Sequence, residues 1–280
     1  MYILDTSAFA HRVWARAIAA SGRRDDNWAA YQIAVGGKSP GLMRREITPL
    51  TDELAQRGME GSEVRLVAAL DIGQSFRHKL YSPYKAQRPP IGECQRAFFD
   101  KVPEIMQEMG VELYYAPDFE ADDVIGVIAK LSVEAGWEVR IVSNDRDLWQ
   151  LANSSNISFV CRMKSPQNSK KSVVRRLNAD EIQAELGFHP SRLPTYKALV
   201  GDKSDNIPGV RGIGVAAATP LVRQYESINE IYSNLDRIGL KSRLLLAEAG
   251  KQDFTPQLFE QLCTLDFTAR PIRFSPGGDQ

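Results

Sequence analysis

The chain is poor in the residues that soft metal sites and disulfide scaffolds need. Its 280 residues include three cysteines and three histidines. Cys94, Cys161 and Cys263 lie far apart and form no CxxC pair, and His11, His78 and His189 lack zinc-ligand spacing. No haem, iron–sulfur or structural zinc site is expected. The opening MYILDTSAFAHRVW has no basic leader before a long apolar run, so neither a signal peptide nor a membrane span is read there, and a cytoplasmic enzyme fits. Internal repeats and long linkers are also missing. Neither sign of charge is in excess: 35 basic residues meet 35 acidic ones, which taken alone points away from a nucleic-acid partner.

What remains is an ordinary globular mix, 43% apolar and 25% charged, long enough for one large domain or one with a small appendage. Within it, residues 118–147 concentrate acids. The helical spacing of Val124, Ile125, Val127, Ile128 and Leu131 puts Glu120, Asp122 and Asp123 at a helix start, where the dipole favours negative charge. EVRIVS then reads as a strand, with Asp145 and Asp147 just past its end. Any one of these acids alone reads as a helix cap or a solvated turn. Together they are like charges held close, which a hard cation such as magnesium or manganese would relieve.

Two more apolar runs end the same way. YILD ends at Asp5 and VRLVAALD at Asp71, so three strand ends carry an aspartate and converge on one crevice of an α/β sheet. The first strand leads into the helix AHRVWARAIAA, and residues 21–41 read as turns around a short apolar piece. A second helix is expected over Ile47–Arg57, introduced by Thr51, and Trp28 and Tyr31 read as packing residues. After Asp71 comes a cationic, aromatic segment with Arg77, His78, Lys79, Tyr81, Tyr84, Lys85 and Arg88, placed to hold phosphate against bound ions. Pro89 and Pro90 stop it, and a helix over Ala97–Met109 leads to the strand VELYYA.

Further on, Arg162, Lys164, Lys170, Lys171, Arg175 and Arg176 form an acid-free basic run, readable as a backbone contact or a solvated turn. NADEIQAELG is a capped helix. In GDKSDNIPGVRGIG, Asp202 and Asp205 are three apart and can face one way on a helical turn. Gly209, Gly212 and Gly214 follow in a hairpin between short helices, where bare amides can meet a phosphate. The rest is mostly helical, ending in an extended tail. The expected division is an α/β core over residues 1–179 and a helical region over 180–280 packed on it.

The words ILDTS, AALD, SFRHKLYSPYKAQRPP, FEADDVIG, SNDRDLWQL and ALVGDKSDNIPGVRGIG occur in order across residues 2–222, with LCTLDF after them. They resemble the 5' nuclease family, which includes flap endonucleases, the 5' to 3' exonuclease domain of bacterial DNA polymerase I and related phage enzymes. The resemblance implies a central, mostly parallel sheet flanked by helices, a helical arch over residues 74–92 and a C-terminal helix-hairpin-helix. It implies a structure-specific nuclease that uses two magnesium ions, with manganese able to substitute, and leaves 5'-phosphate and 3'-hydroxyl ends. Asp5, Asp71, Glu120 and Asp122 would serve one ion, with Asp123 acting through water; Asp145 and Asp147 would serve the other, with Asp202 and Asp205 nearby.

Lys85 and Arg88 would stabilise charge on the phosphoryl group and Tyr84 would stack on a base. Arg77, Lys79, Tyr81, Ser204 and the hairpin glycines would contact DNA, and Asp205–Ala218 would hold a potassium ion. The partner would be DNA with a 5' flap, nick or free 5' end; removal of RNA primers from RNA–DNA duplexes and a non-catalytic DNA-binding relative stay open, and a monomer is expected. Two departures stand out. Val215 and Ala216 replace the family's usual lysine after GIG, and residues 21–61 match poorly. No sliding-clamp peptide is evident. With the nine assigned acids set aside, 35 bases face 26 acids, so local charge is a better guide than net charge.

Overall fold

The computed structural model describes residues 1–23, 27–36, 41–59, 63–164 and 172–275. Lys170 and Lys171 of the basic run, and residues 24–26 and 37–40 of the early turns, lie outside them. Strand β1 (Tyr2–Asp5) leads into α1 (Thr6–Ala20), α2 (Trp28–Val35) and α3 (Leu42–Met59). Next come β2 (Leu66–Ala69), α4 (Phe76–Leu80), α5 (Glu93–Glu108), β3 (Glu112–Tyr115), α6 (Ala121–Glu134) and β4 (Val139–Val142). A hairpin of β5 (Ile157–Lys164) and β6 (Ser172–Leu177) precedes the C-terminal helices α7 (Ala179–Leu186), α8 (Leu193–Val200), α9 (Val215–Gln224), α10 (Ile228–Ser233), α11 (Leu240–Ala249) and α12 (Pro256–Cys263). The short β7 (Ile272–Arg273) ends the order.

The seven strands form one sheet, β6-β5-β4-β1-β2-β3-β7, parallel from β5 to β3 with antiparallel edges. Chain order reverses beside β1, where carboxyl ends open a crevice. Every residue of β1 and β2 is buried, as strands covered on both faces must be. Alternation along β1 sends Tyr2 and Leu4 into a core under α1, α2, α3 and α5, and Ile3 into a second core. That second core runs without a break from α6 into the C-terminal helices.

Three local expectations change. Residues 28–35 form a helix capped by Asn27, whose side chain accepts from the Ala30 amide at 2.8 Å, and Trp28 is 53% exposed rather than packed. Helix α3 starts at Leu42, not Ile47, because Met43 and Ile47 are both fully buried one turn apart; Thr51 lies inside it. The arch expected over residues 74–92 takes the form of the five-residue α4 and a run of turns. This strap lies on the 202–206 turn: the Lys85 amide donates to the Asp205 carbonyl at 3.1 Å and Asn206 Nδ2 to the Pro83 carbonyl at 2.8 Å. Pro89 and Pro90 then prevent helical continuation until α5.

Arg77 corrects the expectation of a DNA contact. It is 2% exposed and donates to both oxygens of Asp123, at 2.6 and 2.8 Å, and to the carbonyls of Leu262 and Thr264 at 2.9 and 2.8 Å. The Asp123 carboxylate also accepts the amides of Glu120 at 3.0 Å and Asp266 at 2.8 Å, so four donors saturate it and it has no capacity left for a metal-bound water. Both residues are structural. Tyr81 is corrected likewise: it is buried edge-on against Phe254 and Phe259.

Removing one partner of a buried pair leaves the other charge uncompensated. Arg77→Ala should therefore destabilise the chain by about 3–5 kcal/mol in urea unfolding, whereas the apolar double change Arg77→Met with Asp123→Leu should recover most of the loss. A single variant within about 0.5 kcal/mol of the parent, the range of ordinary surface changes, would deny the pair this role.

Candidate active site

The acids gather at the carboxyl edge of the sheet. Asp5 caps α1 through the Ala8 amide at 2.9 Å and accepts from Ser143 Oγ, on the loop after β4, at 2.7 Å. Burial pushes its carboxyl up to about 6 against those two bonds, and the charges of Asp71 and Asp145 push the same way. Asp71, an exposed residue, accepts the first amide of α6, from Ala121, at 2.8 Å; desolvation by the surrounding crevice, with Glu120 adding to it, raises its carboxyl. Asp122 is raised well above the ordinary range by burial and by Asp5, Asp145, Asp71 and Glu120. Each of these acids feels the others, so strands β1, β2 and β4 and the start of α6 deliver one pooled negative site.

The second group is tighter. One carboxylate oxygen from each of Asp147, Asp202 and Asp205 lies within 4.8 Å of the others. Burial pushes Asp147 up to about 6, with Asp145 and Asp202 adding to it and Lys197 opposing. The Lys197 ammonium donates to both Asp147 and Asp202. Burial would raise Asp202 as well, but Lys197 and Ser204 outweigh it and hold it low. Asp145 is exposed and accepts the Asp147 amide at 2.8 Å, which ties the two groups together.

Asp202 and Asp205 do not share a helical turn. They sit on either side of a tight reversal in which Asp202 and Ile207 exchange backbone bonds at 2.7 and 2.8 Å. Gly209 closes it at φ 69°; a Cβ there would fall 2.3 Å from the Gly201 nitrogen. Ser204, expected to touch DNA, commits both its amide and its hydroxyl to Asp202. Gly212 and Gly214 are exposed, and Gly214 opens α9 without a side-chain cap, so the first amides of that helix face outward.

The strap supplies the cations. Lys85 Nζ donates to Glu120 at 2.7 Å and Arg88 to Asp205 at 2.9 Å. Burial raises Glu120, but Lys85 and Arg77 overcome it and leave the carboxyl below its usual value. Lys85 holds φ at 56°, a left-handed conformation uncommon outside glycine that concentrates at functional sites. Tyr84 is 2% exposed, with its hydroxyl 3.0 Å from Glu120 and 3.1 Å from Asp205. That corrects the expectation of base stacking: the ring is enclosed and its hydroxyl spans the two acid groups. Lys79 stays exposed and pairs with Asp118 at 2.6 Å.

The donor set suits hard divalent ions: carboxylates only, several raised by burial and mutual repulsion that a cation would cancel. Sequence reasoning missed Lys197, a lone lysine in an apolar helix, and Ser143, whose Oγ bonds Asp5 and the Asp145 amide. Nothing in the spacing of either announces its role.

Two family descriptions match in tandem: the N-terminal resolvase-like domain of 5'-3' exonucleases over residues 1–187, and their C-terminal SAM fold over residues 188–275. DNA polymerase I of Caldicellulosiruptor bescii is 36% identical over 179 residues, 64% of this chain and 20% of that protein, so the chain spans about a fifth of such a relative's length. A 5'-3' exonuclease of Aquifex aeolicus is 34% identical over 173 residues, 61% of this chain and 56% of that one. A bacteriophage T5 flap endonuclease crystallised with DNA and metal ions shares the fold, with TM-score 0.62, 19% identity, and coverage of 95% of this chain and 88% of the other. With both domains of the family matched across residues 1–275, this chain belongs to the 5'-3' exonuclease family.

Proposed function

We propose that the chain hydrolyses DNA phosphodiesters from a 5' end or at a 5' flap or nick, with two magnesium ions, leaving 5'-phosphate and 3'-hydroxyl products. The observation that carries this is the meeting of acids from β1, β2, α6, the β4 loop and the 202–206 turn in one crevice with Lys85 and Arg88 against them. Asp5, Asp71, Glu120 and Asp122 would hold one ion, and Asp145, Asp147, Asp202 and Asp205 the other. Divalent ions bound there supply the charge that activates an attacking water and stabilises the departing 3' oxygen. The chain's own residues do the rest. Lys85 and Arg88 offer positive charge to the phosphoryl oxygens, Tyr84 keeps Glu120 and Asp205 in register, and Lys197 pairs with Asp147 and Asp202.

The outward amides of Gly212, Gly214 and α9 suit a duplex backbone, with a potassium ion across Asp205–Ala218 as a further proposal. Val215 and Ala216, where the family's GIGxK pattern ends in a lysine, remove one phosphate contact. Activity is favoured over a non-catalytic DNA-binding role because eight acids outside the Arg77 clamp are present and clustered. Action on RNA–DNA hybrids would use the same site. Among the described residues no helix is long and apolar enough to cross a membrane. A cytoplasmic monomer is the reading adopted.

A magnesium-dependent digest of a 5'-labelled flap substrate, with Asp145→Ala as control, tests the central claim. Cleavage that persists in chelator or in the variant would overturn it. In single turnover, Lys85→Ala should slow cleavage about 10²–10³-fold while leaving flap affinity within about threefold, less than 1 kcal/mol; equal losses would remove Lys85 from the catalytic group.

Stability should report the acids directly. Asp5 and Asp147 titrate near 6 in the fold against an ordinary 3.8, so the folded chain holds those protons more tightly than the unfolded one. Their contribution therefore falls as pH rises from about 4 to about 6 and stays low above that. In chelator, wild type should melt higher at pH 5 than at pH 7, Asp5→Asn with Asp147→Asn should flatten the difference, and magnesium at pH 7 should raise the wild-type melting temperature. An undiminished slope in the double variant would contradict the assignment.

A further inference from the structure

Strand β6 ends the sheet, and among the described residues no strand lies on its outer side. Its sequence is SVVRRL, with no acid in it. An open edge presents a row of amides and carbonyls that another extended chain can pair. Side chains alternate between the faces of a strand, so Val173 and Arg175 share a face with Met163 and Cys161, while Val174 and Arg176 share the other with Arg162 and Val160. Each face of the edge therefore carries one valine and one arginine, in the same order. Val174 is 61% exposed and Val173 36%. Arg175 lies 3.6 Å from Glu181, too far for a hydrogen bond, and Arg176 is exposed with no ion pair among the described residues.

That pattern selects its occupant. Edge cations alone serve to keep sheets apart, but two exposed valines beside them work against that purpose. A second copy brings no counter-charge: however β6 pairs with itself, no acid stands opposite either arginine, and like charges directly opposite destabilise a pair. A nucleic acid would meet the arginines, but phosphodiester oxygens only accept hydrogen bonds, so they leave the edge carbonyls and the valines to water. An extended peptide satisfies all of these groups, since its backbone pairs the edge while its side chains face the valines and arginines across the ladder. Opposite Arg176, Arg175, Val174 and Val173, an antiparallel partner runs acid, acid, apolar, apolar.

We propose that the β6 edge is a docking site for an extended acidic segment of a partner protein, added antiparallel as an eighth strand, with two consecutive acids on Arg176 and Arg175 and two consecutive apolar residues on Val174 and Val173. The acids pair on opposite faces of the sheet, so the segment is gripped from both sides. A slip of one residue moves an acid from arginine to valine, which fixes the register. Strand β6 stands two strands from β4, about 10 Å, and β4 leads to Asp145. The partner is thus held beside the acid crevice and leaves it open. This site does not depend on the nuclease chemistry: it recruits the chain, whatever the crevice then cuts.

The test titrates the full chain into short labelled peptides and follows fluorescence anisotropy. One peptide carries the acid–acid–apolar–apolar order; the other has the same composition with acids and apolar residues alternating. The ordered peptide should bind at least about tenfold more tightly, and Arg175→Glu with Arg176→Glu should weaken it at least about tenfold, with an unchanged melting temperature. N-methylation of alternate peptide amides should abolish binding in one phase and spare it in the other, a readout that needs no change to the protein. No binding by the ordered peptide, equal binding of the two orders, or indifference to both methylation phases would overturn strand addition. An equal loss of nicked-duplex affinity in the double variant, measured in calcium, would assign the edge to nucleic acid and overturn the proposal as well.

Discussion

The Arg77–Asp123 pair sits where three segments far apart in the chain cross. Arg77 belongs to the strap that carries Lys85, Asp123 to the first turn of α6 that carries Glu120 and Asp122, and residues 262–266 supply carbonyls to Arg77 and the Asp266 amide to Asp123. Gln150 repeats the device from the other side, donating to the Cys263 carbonyl at 3.1 Å and accepting the Leu265 amide at 3.0 Å. A charge with four satisfied bonds in a dry interior has one low-energy geometry, and a shift of any segment leaves polar groups unpaired. The clamp therefore sets how far the strap's cations stand from the helix's acids.

The acids themselves work against the fold. Burial and mutual charge raise Asp5, Asp71, Asp122 and Asp147, whereas Glu120 and Asp202 are held low. Glu120 has Lys85 and Arg77 beside it, and Asp202 has both Lys197 and Ser204, whereas at Asp147 burial and Asp145 outweigh the same Lys197. The leading influences on Asp122 are burial and the charges of Asp5, Asp145, Asp71 and Glu120. The crevice is compensated at its rim and uncompensated at its centre, and the centre is where hard cations gain the most.

Much of this frame was legible in the chain. Strand-end acids at Asp5, Asp71 and Asp145 announce a sheet whose carboxyl ends converge, because an apolar run closed by an aspartate has few other uses when it occurs three times. The helical spacing after Glu120 likewise announces α6. Burial in the strap was not legible. Arg77, Tyr81 and Tyr84 stand among exposed-looking basic and aromatic neighbours, and what buries Arg77 lies 185 residues away at Leu262. Asp123 reads as one more acid of the cluster until its four donors are counted. Thr51 misled because a cap residue means little when Met43 and Ile47 already bury the preceding turns.

Charge tells the same story at larger scale. Net neutrality argued against a nucleic-acid partner only because it averages over opposed regions. The acids are drawn into one crevice, while Lys85, Arg88 and the exposed Lys79 stand on the strap at its flank. A polyanion approaching such a surface would be repelled by the centre if the acids stood bare, and held by the flank. Binding and chemistry therefore make opposite demands on the same few ångströms, and divalent cations at the centre reconcile them by turning the repulsive strip into the most attractive part of the surface. Under the proposed function, metal occupancy would govern the grip on the substrate as well as the hydrolytic step.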